Sequence, residues 1–226
     1  IDCKERNVLT VEDPIEYDLD NINQAQVNRR SGVTFASALR AILRQDPDII
    51  MVGEVRDEET VELAIRAALT GHLVFSTIHT NDSASGFTRL LNWGMEPFLI
   101  TSTVKGILSQ RLVRKLCKEC REKHMVEPSD LIKFGLEVDE PIEFYKGVGC
   151  LSCRNTGYQG RVGLFELIRM NNDIAELVME QKPGHVIRQK AIEYGMFSLL
   201  HDGLIKAQRG ETSLQEIVET LGTDTI

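Results

Sequence analysis

Four of the five cysteines in this sequence form two Cys-x-x-Cys pairs, Cys117 with Cys120 and Cys150 with Cys153. Four thiolates in two such pairs are the ligand set that binds Zn²⁺ tetrahedrally in structural sites. We expect a cytoplasmic protein, because the first residues contain no apolar stretch typical of a signal peptide, and paired spacing there favours metal ligation over disulfides. The pattern therefore predicts a structural zinc site.

The spacer between the two cysteine pairs, residues 121–149, is longer than usual for a zinc ribbon. A folded insertion between the pairs would account for this length. His124 lies inside the spacer and is an alternative fourth ligand. Cys3 has no partner in the pattern and is expected to be incidental.

Acidic residues follow two short apolar runs. Residues 49–52 are followed within two positions by Glu54, and residues 8–11 are followed by Glu12 and Asp13. If the runs are neighbouring parallel strands, Glu12 and Glu54 converge on one crevice, where two carboxylates are costly unless a cation or a proton exchange uses them. This favours nucleotide hydrolysis, in which a carboxylate orients Mg²⁺ or polarises water, over a structural cap.

Two histidines flank a third apolar run, residues 73–78. His72 precedes the run and His79 follows it, so both can serve one site only if His79 lies in the loop beyond the strand. A single histidine is more often structural than catalytic. At the carboxyl end of a strand, however, His79 is placed to hydrogen-bond a γ-phosphate.

Strand and helix patterns alternate over the first hundred residues. Residues 49–52 and 73–78 lack polar alternation, which is typical of strands buried on both faces of a parallel sheet. Apolar residues at helical spacing predict helices over 34–45, after Asp57, and over 83–91. The order predicts an α/β fold with a doubly wound parallel sheet.

The pattern changes after residue 115. Glycines and cysteines dominate residues 116–158, which predicts a small metal-binding module. Beyond it, residues 161–168 are a candidate strand and the remainder is mostly helical. Ser213 and Glu216 have the spacing of a capping box that begins the last helix.

Overall composition excludes some classes of function. The 226 residues carry a net charge of −8, which disfavours a dedicated nucleic-acid binder because phosphate contacts need a basic face. No apolar run of about 18 residues occurs, so no transmembrane helix is predicted. A local basic cluster is either a solvated surface or an interface with a protein or a membrane; it comprises Arg111, Arg114, Lys115, Lys118, Arg121 and Lys123.

Three long segments, in this order, resemble the motifs of the ATPase family that powers type II secretion and type IV pilus assembly. Residues 10–17, TVEDPIEY, resemble its Asp box. Residues 43–57, LRQDPDIIMVGEVRD, resemble its Walker B segment, and residues 70–81, TGHLVFSTIHTN, resemble its His box. The cysteine pairs are similar to those of the branch that assembles pili and pseudopili.

The resemblance implies a RecA-like P-loop NTPase core that forms a homo-hexameric ring and binds ATP and Mg²⁺ between subunits. Hydrolysis would drive platform proteins at the inner membrane, to which the ring would be peripheral. By this resemblance Glu12, Glu54, His72 and His79 are catalytic, Asp13 and Arg56 contact the cofactor, and Arg40, Arg44 and Arg56 are candidates to bridge charges across the ring.

The sequence departs from the family in one respect: it contains no G-x-x-x-x-G-K-[ST] loop. We expect that loop, with its strand and helix, upstream of Ile1, so the chain alone should be inactive and its sheet should expose an edge or a face. The expected segments are a partial core (1–115), a zinc module (116–158) and a helical region (159–226). Alternative functions are a non-catalytic zinc-stabilised interaction module and a DNA-uptake or conjugation motor.

Overall fold

A four-stranded parallel sheet holds the segments that carry the predicted acids. The computed structural model describes residues 1–132, 136 and 138–222. In chain order the strands are β1 (Val8–Glu12), β2 (Asn23–Gln26), β3 (Ile49–Val52), β4 (Leu73–Ser76), β5 (Gly106–Leu116), β6 (Arg121–Val126), β7 (Ile142–Gly147) and β8 (Tyr158–Arg169). The helices are α1 (Phe35–Ile42), α2 (Glu58–Leu69), α3 (Ser83–Asn92), α4 (Pro97–Thr103), α5 (Pro128–Leu131), α6 (Asn172–Met179), α7 (Gly184–Glu193), α8 (Leu199–Gln208) and α9 (Leu214–Leu221).

The parallel sheet has the strand order β2-β1-β3-β4. β1 pairs with β3 in register Val11 to Val52, and β3 pairs with β4 in register Val52 to Ser76. The three predicted strands therefore exist as neighbours, and the α/β prediction is confirmed. β4 has a strand partner on only one side among the described residues, and its Leu73 and Phe75 side chains are each 46% exposed.

Helices α1, α2 and α3 begin where polar side chains satisfy their first free N–H groups. Thr34 accepts a hydrogen bond from the Ser37 amide and begins α1, which confirms the predicted start. Asp57 caps α2, and Asp82 caps α3 by accepting from the Ser85 amide. These caps fix where each strand-to-helix connection ends.

The described residues divide into two compact units. The first comprises Ile1–Ile107 and Arg169–Lys190, and the second comprises the described residues of Leu108–Ile168 and those from Ala191 onward. These bounds do not coincide with the predicted divisions after residues 115 and 158. The predicted helical region begins in strand β8, and its segment 169–190 belongs to the first unit.

The second unit is built around two small two-stranded sheets, β5-β8 and the antiparallel pair β6-β7. Its largest apolar cluster joins the β6-β7 hairpin and α5 to α8 and α9; the buried members are Val126, Leu131, Phe144, Ala207, Leu214 and Ile217. The core is thus small, as expected for a unit of this size.

Only one of the two hydrogen bonds of the predicted capping box forms at the start of the last helix. Ser213 accepts a hydrogen bond from the Glu216 amide, but the Glu216 carboxylate is buried against Arg114. Glu216 accepts from the Arg114 backbone amide at 2.7 Å and from its Nε at 2.6 Å. A longer-range ion pair has therefore replaced the local bond.

Several residues of the predicted basic cluster form ion pairs or hydrogen bonds within the second unit. Besides Arg114, Arg121 donates to the Gly210 carbonyl at 2.6 Å, and Lys123 lies 3.0 Å from Glu143. These contacts favour a structural and solvated role for this part of the cluster. Within the described ranges, the helices all fall short of the length and apolarity that a bilayer crossing requires.

Candidate functional site

Glu54 lies just beyond the carboxyl end of β3 and is 9% exposed. One of its oxygens, Oε2, lies 2.5 Å from Arg56 Nε and 3.4 Å from His79 Nε2. Both partner side chains are largely exposed, whereas the carboxylate is not. The structure thus brings together three of the predicted site residues at the edge of the sheet where α/β folds bind ligands.

The contacts of Glu54 favour its charged form. The hydrogen bond from Arg56 is the largest influence and lowers the pKa of Glu54; burial opposes it, and His79 adds to the lowering. Glu54 in turn raises the pKa of Arg56, chiefly through the same hydrogen bond. At neutral pH the site therefore presents an ionised carboxylate that is already oriented by a guanidinium.

Backbone contacts hold the segment that carries Glu54. The Gly53 amide donates to the Val11 carbonyl at 2.8 Å, and the Val55 amide donates to the Thr77 carbonyl at 3.0 Å. A β-carbon at position 53 would lie 3.1 Å from the Val11 oxygen, so this close approach favours glycine. The tip of β3 is thereby tied to both neighbouring strands.

Glu12 ends β1 at the same edge of the sheet, but its carboxylate has different partners. Its Oε1 accepts from Thr10 Oγ1 at 2.6 Å and from Gln24 Nε2 at 2.8 Å. Thr10 and Gln24 are paired across β1 and β2, so Glu12 is directed by the strand on the side away from β3. The two acids share an edge, and each is held by its own hydrogen bonds.

Asp13 has one described ion-pair partner, Arg29, with 3.9 Å between Oδ2 and NH2. Both side chains remain accessible, at 34% and 71% exposure. Arg40, at the end of α1, is paired with Glu59 of α2. Among the arginines of the Walker B-like segment and its preceding helix, Arg56 is therefore the one that contacts Glu54.

His72 lies at the opposite end of β4 from His79. Its Nδ1 is 2.9 Å from the Ala67 carbonyl and 3.1 Å from Thr70 Oγ1, at the carboxyl end of α2. Because β4 separates the two histidines, the structure does not bring His72 to Glu54. The catalytic role suggested for His72 stays a prediction that requires a site other than the Glu54 cluster.

The four paired cysteines form one cluster in the second unit. Their sulfur atoms all lie within 4.8 Å of one another. Cys117 is 3.8 Å from Cys150, Cys120 is 3.8 Å from Cys153, and Cys150 is 3.7 Å from Cys153. A tetrahedral Zn²⁺ with bonds of about 2.3 Å requires sulfur separations of about 3.8 Å, so the thiols fit such an ion.

Backbone geometry supports the cysteine cluster. Burial alone would raise the pKa of Cys153, but the amides of Cys150 and Gly157, each 3.2 Å from its sulfur, lower the pKa to about 6. Burial raises the pKa of Cys120 to about 12. The chain passes so closely at this point that a β-carbon at Gly147 would lie 2.3 Å from the Gly157 oxygen.

The long spacer between the cysteine pairs contains the β6-β7 hairpin and α5, so a folded insertion accounts for its length. Residues 133–135 and 137 of the spacer lie outside the described residues. His124 lies on β6 opposite Phe144 and is not among the clustered ligands, and Cys3 is also separate from them. The Cys₄ ligand set is therefore the one that the structure assembles.

Two polar residues that no motif singles out also lie at the acidic edge. Gln24 bonds Glu12, and the Thr77 hydroxyl donates to the Gly53 carbonyl at 2.6 Å. Polar β2 has neither an apolar run nor clear alternation, so sequence patterns give it no strand prediction. The position of Thr77 just after β4 indicates its contact with Gly53 only when the register between β3 and β4 is known.

Comparisons with known proteins identify the class of molecule to which this fold and these motifs belong. The family model described as "Type II/IV secretion system protein" matches residues 1–219. The chain belongs to that family. It is 47% identical over 218 residues to the "Type II secretion system ATPase E" of Vibrio cholerae, and 48% identical over 216 residues to the "Type IV pilus assembly ATPase PilB" of Thermus thermophilus.

These alignments cover 96% and 95% of this chain but only 43% and 24% of the two relatives. Among solved structures, the chain is similar to the pilus retraction motor PilT with bound ADP, at 30% identity and a TM-score of 0.67. That match covers 95% of this chain and 52% of PilT. The α/β architecture is therefore shared with that solved structure.

The Glu54 cluster gives a prediction for acid titration. In this chain, the Glu54 carboxyl should titrate below 4.5, and Arg56→Ala should raise its midpoint because the main stabilising hydrogen bond is lost while burial remains. Because the folded pKa is lowered, the pair contributes stability above pH 4.5 that is lost as the pH falls through the folded value. Carbon-detected NMR of the glutamate carboxyls measures this midpoint.

Arg40→Ala is the matched control for this titration, because Arg40 is paired with Glu59 and not with Glu54. It should leave the Glu54 midpoint unchanged. An Arg56→Ala midpoint that equals the wild-type value would contradict the assigned ion pair.

Proposed function

We propose that this chain is the C-terminal portion of a hexameric secretion ATPase, which hydrolyses ATP to drive pseudopilus or pilus assembly and protein export at the inner membrane. The observation that carries the proposal is the ionised, nearly buried Glu54 at the tip of β3, held by Arg56 and His79. Its segment resembles the family's Walker B motif, and the family assignment and the ATPase names of its relatives support the same chemistry.

In this proposal Glu54 either orients Mg²⁺ or polarises the attacking water, because its carboxylate is charged and fixed before nucleotide binds. Mg²⁺, when bound, would offset negative charge on the phosphates of ATP. His79 and Arg56 are accessible and positioned to contact a γ-phosphate beside Glu54. Glu12 is the second acid of the edge, and Asp13 would contact the metal-bound nucleotide through the same crevice.

The phosphate-binding loop would come from a segment N-terminal to this chain, within a complete RecA-like core. The open side of β4, with Leu73 and Phe75 half exposed, would accept the strand of that loop. The chain alone would then be inactive. His72, at the other end of β4, would act away from the Glu54 cluster, for example at a subunit boundary of the ring.

The ring would work in the cytoplasm as a peripheral partner of inner-membrane platform proteins. Nucleic acid is not an expected partner, given the net charge of −8. The zinc site would be structural: Cys117, Cys120, Cys150 and Cys153 would fill all four positions of a tetrahedral ion, which leaves none for a substrate. The opposing hypothesis is a non-catalytic module stabilised by that ion.

Replacement of Glu54 tests the catalytic proposal. In a protein that contains this chain and the phosphate-binding loop, Glu54→Gln should retain nucleotide binding but reduce turnover by roughly 10²-fold, because a preorganised charge is removed at unchanged volume. Steady-state ATPase assays and fluorescent-nucleotide binding measure the two quantities. Glu62→Gln is the control, because Glu62 pairs with Arg66 on the surface of α2. Unchanged turnover in Glu54→Gln would contradict the assignment and move the catalytic role to Glu12.

Metal analysis tests the cysteine centre independently of ATPase activity. Freshly prepared reduced protein should hold about one Zn²⁺ per chain, and removal by a chelator should increase hydrogen exchange across residues 116–158, because the small core depends on the ion. Cys153→Ser should lose most of the zinc, whereas Cys3→Ser should retain all of it, since Cys3 lies outside the cluster. Protein that is reduced, folded and free of metal would contradict the proposal.

A further inference from the structure

Side-chain hydroxyls extend the contact between β3 and β4 beyond the last paired residues of the two strands. The register ends with Val52 opposite Ser76. Ser76 Oγ donates to the Val52 carbonyl at 2.8 Å, and Thr77 Oγ1 donates to the Gly53 carbonyl at 2.6 Å. The second of these bonds lies one residue before Glu54.

The Thr77 hydroxyl therefore restrains the peptide group that joins Gly53 to Glu54. The amide on the other side of Gly53 is held by Val11 at 2.8 Å, and the Val55 amide is held by the Thr77 carbonyl at 3.0 Å. Glycine restricts its own backbone least of all residues, so its conformation here depends on such external bonds. Without the hydroxyl, the Gly53 carbonyl would lose the described donor from the loop after β4.

The same residue also links the two catalytic candidates. Thr77 lies two positions before His79, and His79 Nε2 is 3.4 Å from the Glu54 carboxylate. The bond from Thr77 to Gly53 thus fixes the distance between the backbone segments that carry the histidine and the acid. A displacement of about 1 Å in a catalytic group is enough to reduce a rate by up to 10²-fold.

We propose that Thr77 is a positioning residue for Glu54: its hydroxyl locks the tip of β3 to the loop after β4, so that the carboxylate meets its reacting partner in a fixed orientation. This inference rests on the proposed ATPase function for its catalytic consequence. The structural lock itself is independent of that function. Thr77 acts through Gly53 and needs no contact of its own with nucleotide.

Hydrogen exchange in the 226-residue chain tests the lock directly. Thr77→Val keeps the shape and removes the donor, so exchange of the Val55 amide should accelerate roughly three- to tenfold, as expected for the loss of one hydrogen bond. Thr77→Ser keeps the donor and should restore near wild-type exchange. Thr101→Val is the control, because Thr101 makes an equivalent bond to the Phe98 carbonyl in α4, away from this edge.

Kinetics test the consequence in the longer protein that carries the phosphate-binding loop. Thr77→Val should lower kcat about tenfold while the KM for ATP stays within about twofold, because the variant misplaces the acid without removing a nucleotide contact. Thr77→Ser should recover most of kcat, and Thr101→Val should equal the wild type. If Thr77→Val only unfolded part of the protein, the amount of active protein would fall, without the selective loss of kcat at constant KM and its recovery in Thr77→Ser.

The outcomes separate the inference from the proposed function. Unchanged Val55 exchange in Thr77→Val would overturn the lock, whatever the activity. Accelerated exchange with wild-type kcat would overturn the positioning role. A wild-type longer protein without ATPase activity would overturn the proposed function, and the exchange experiment would still decide whether Thr77 locks the two strand ends together.

Discussion

Glu54 is almost entirely buried at the end of a strand, so its carboxylate must stay charged with little of the water that normally solvates such a group. Much of the structure of the first unit follows from this constraint. Arg56 provides a compensating charge for Glu54, and both Arg56 and His79 hydrogen-bond its carboxylate. They can do so because Gly53, the residue after β3, packs against β1, and because the loop after β4 lies alongside. The Glu54 carboxylate is therefore placed by three features: the burial of β3, the register of β3, and the cap that begins α2.

The second unit meets a different requirement, since its apolar cores are small and its strands are paired only two at a time. Four sulfur atoms bring the two ends of the β6-β7 insertion together. Their separations are close to the sulfur–sulfur distances around a tetrahedral Zn²⁺ ion. Close backbone packing at Gly147 and Gly157 allows this approach. In the proposed holoprotein the ion would supply cohesion that a larger hydrophobic core supplies elsewhere.

Sequence patterns were sufficient to predict an element or a cluster where one physical preference dominated. The apolar runs at 49–52 and 73–78 predicted strands, Thr34 and Asp57 predicted helix starts, and the cysteine spacing predicted a common cluster. The predicted burial of both runs holds for β3 but is wrong for β4, whose Leu73 and Phe75 are exposed. Patterns failed where partners are distant in sequence. β2 is polar and was missed, because its role is to pair with β1 and direct Glu12. Glu216 was expected to cap its own helix, but an ion pair with Arg114 across about a hundred residues outcompetes the local bond. The separation of His72 from His79 likewise required the position of β4.

Under the proposed function, Glu54 acts in an ATP-hydrolysing site together with a phosphate-binding loop, a motif that this chain does not contain. The decisive measurement is the ATPase activity of this chain beside that of the same chain extended to include such a loop, each over a range of protein concentrations. Activity is expected only in the extended form, with specific activity that rises with concentration as subunits assemble. An extended form that assembles but hydrolyses no ATP would overturn the proposed function, and the zinc-stabilised interaction module would then be the better explanation.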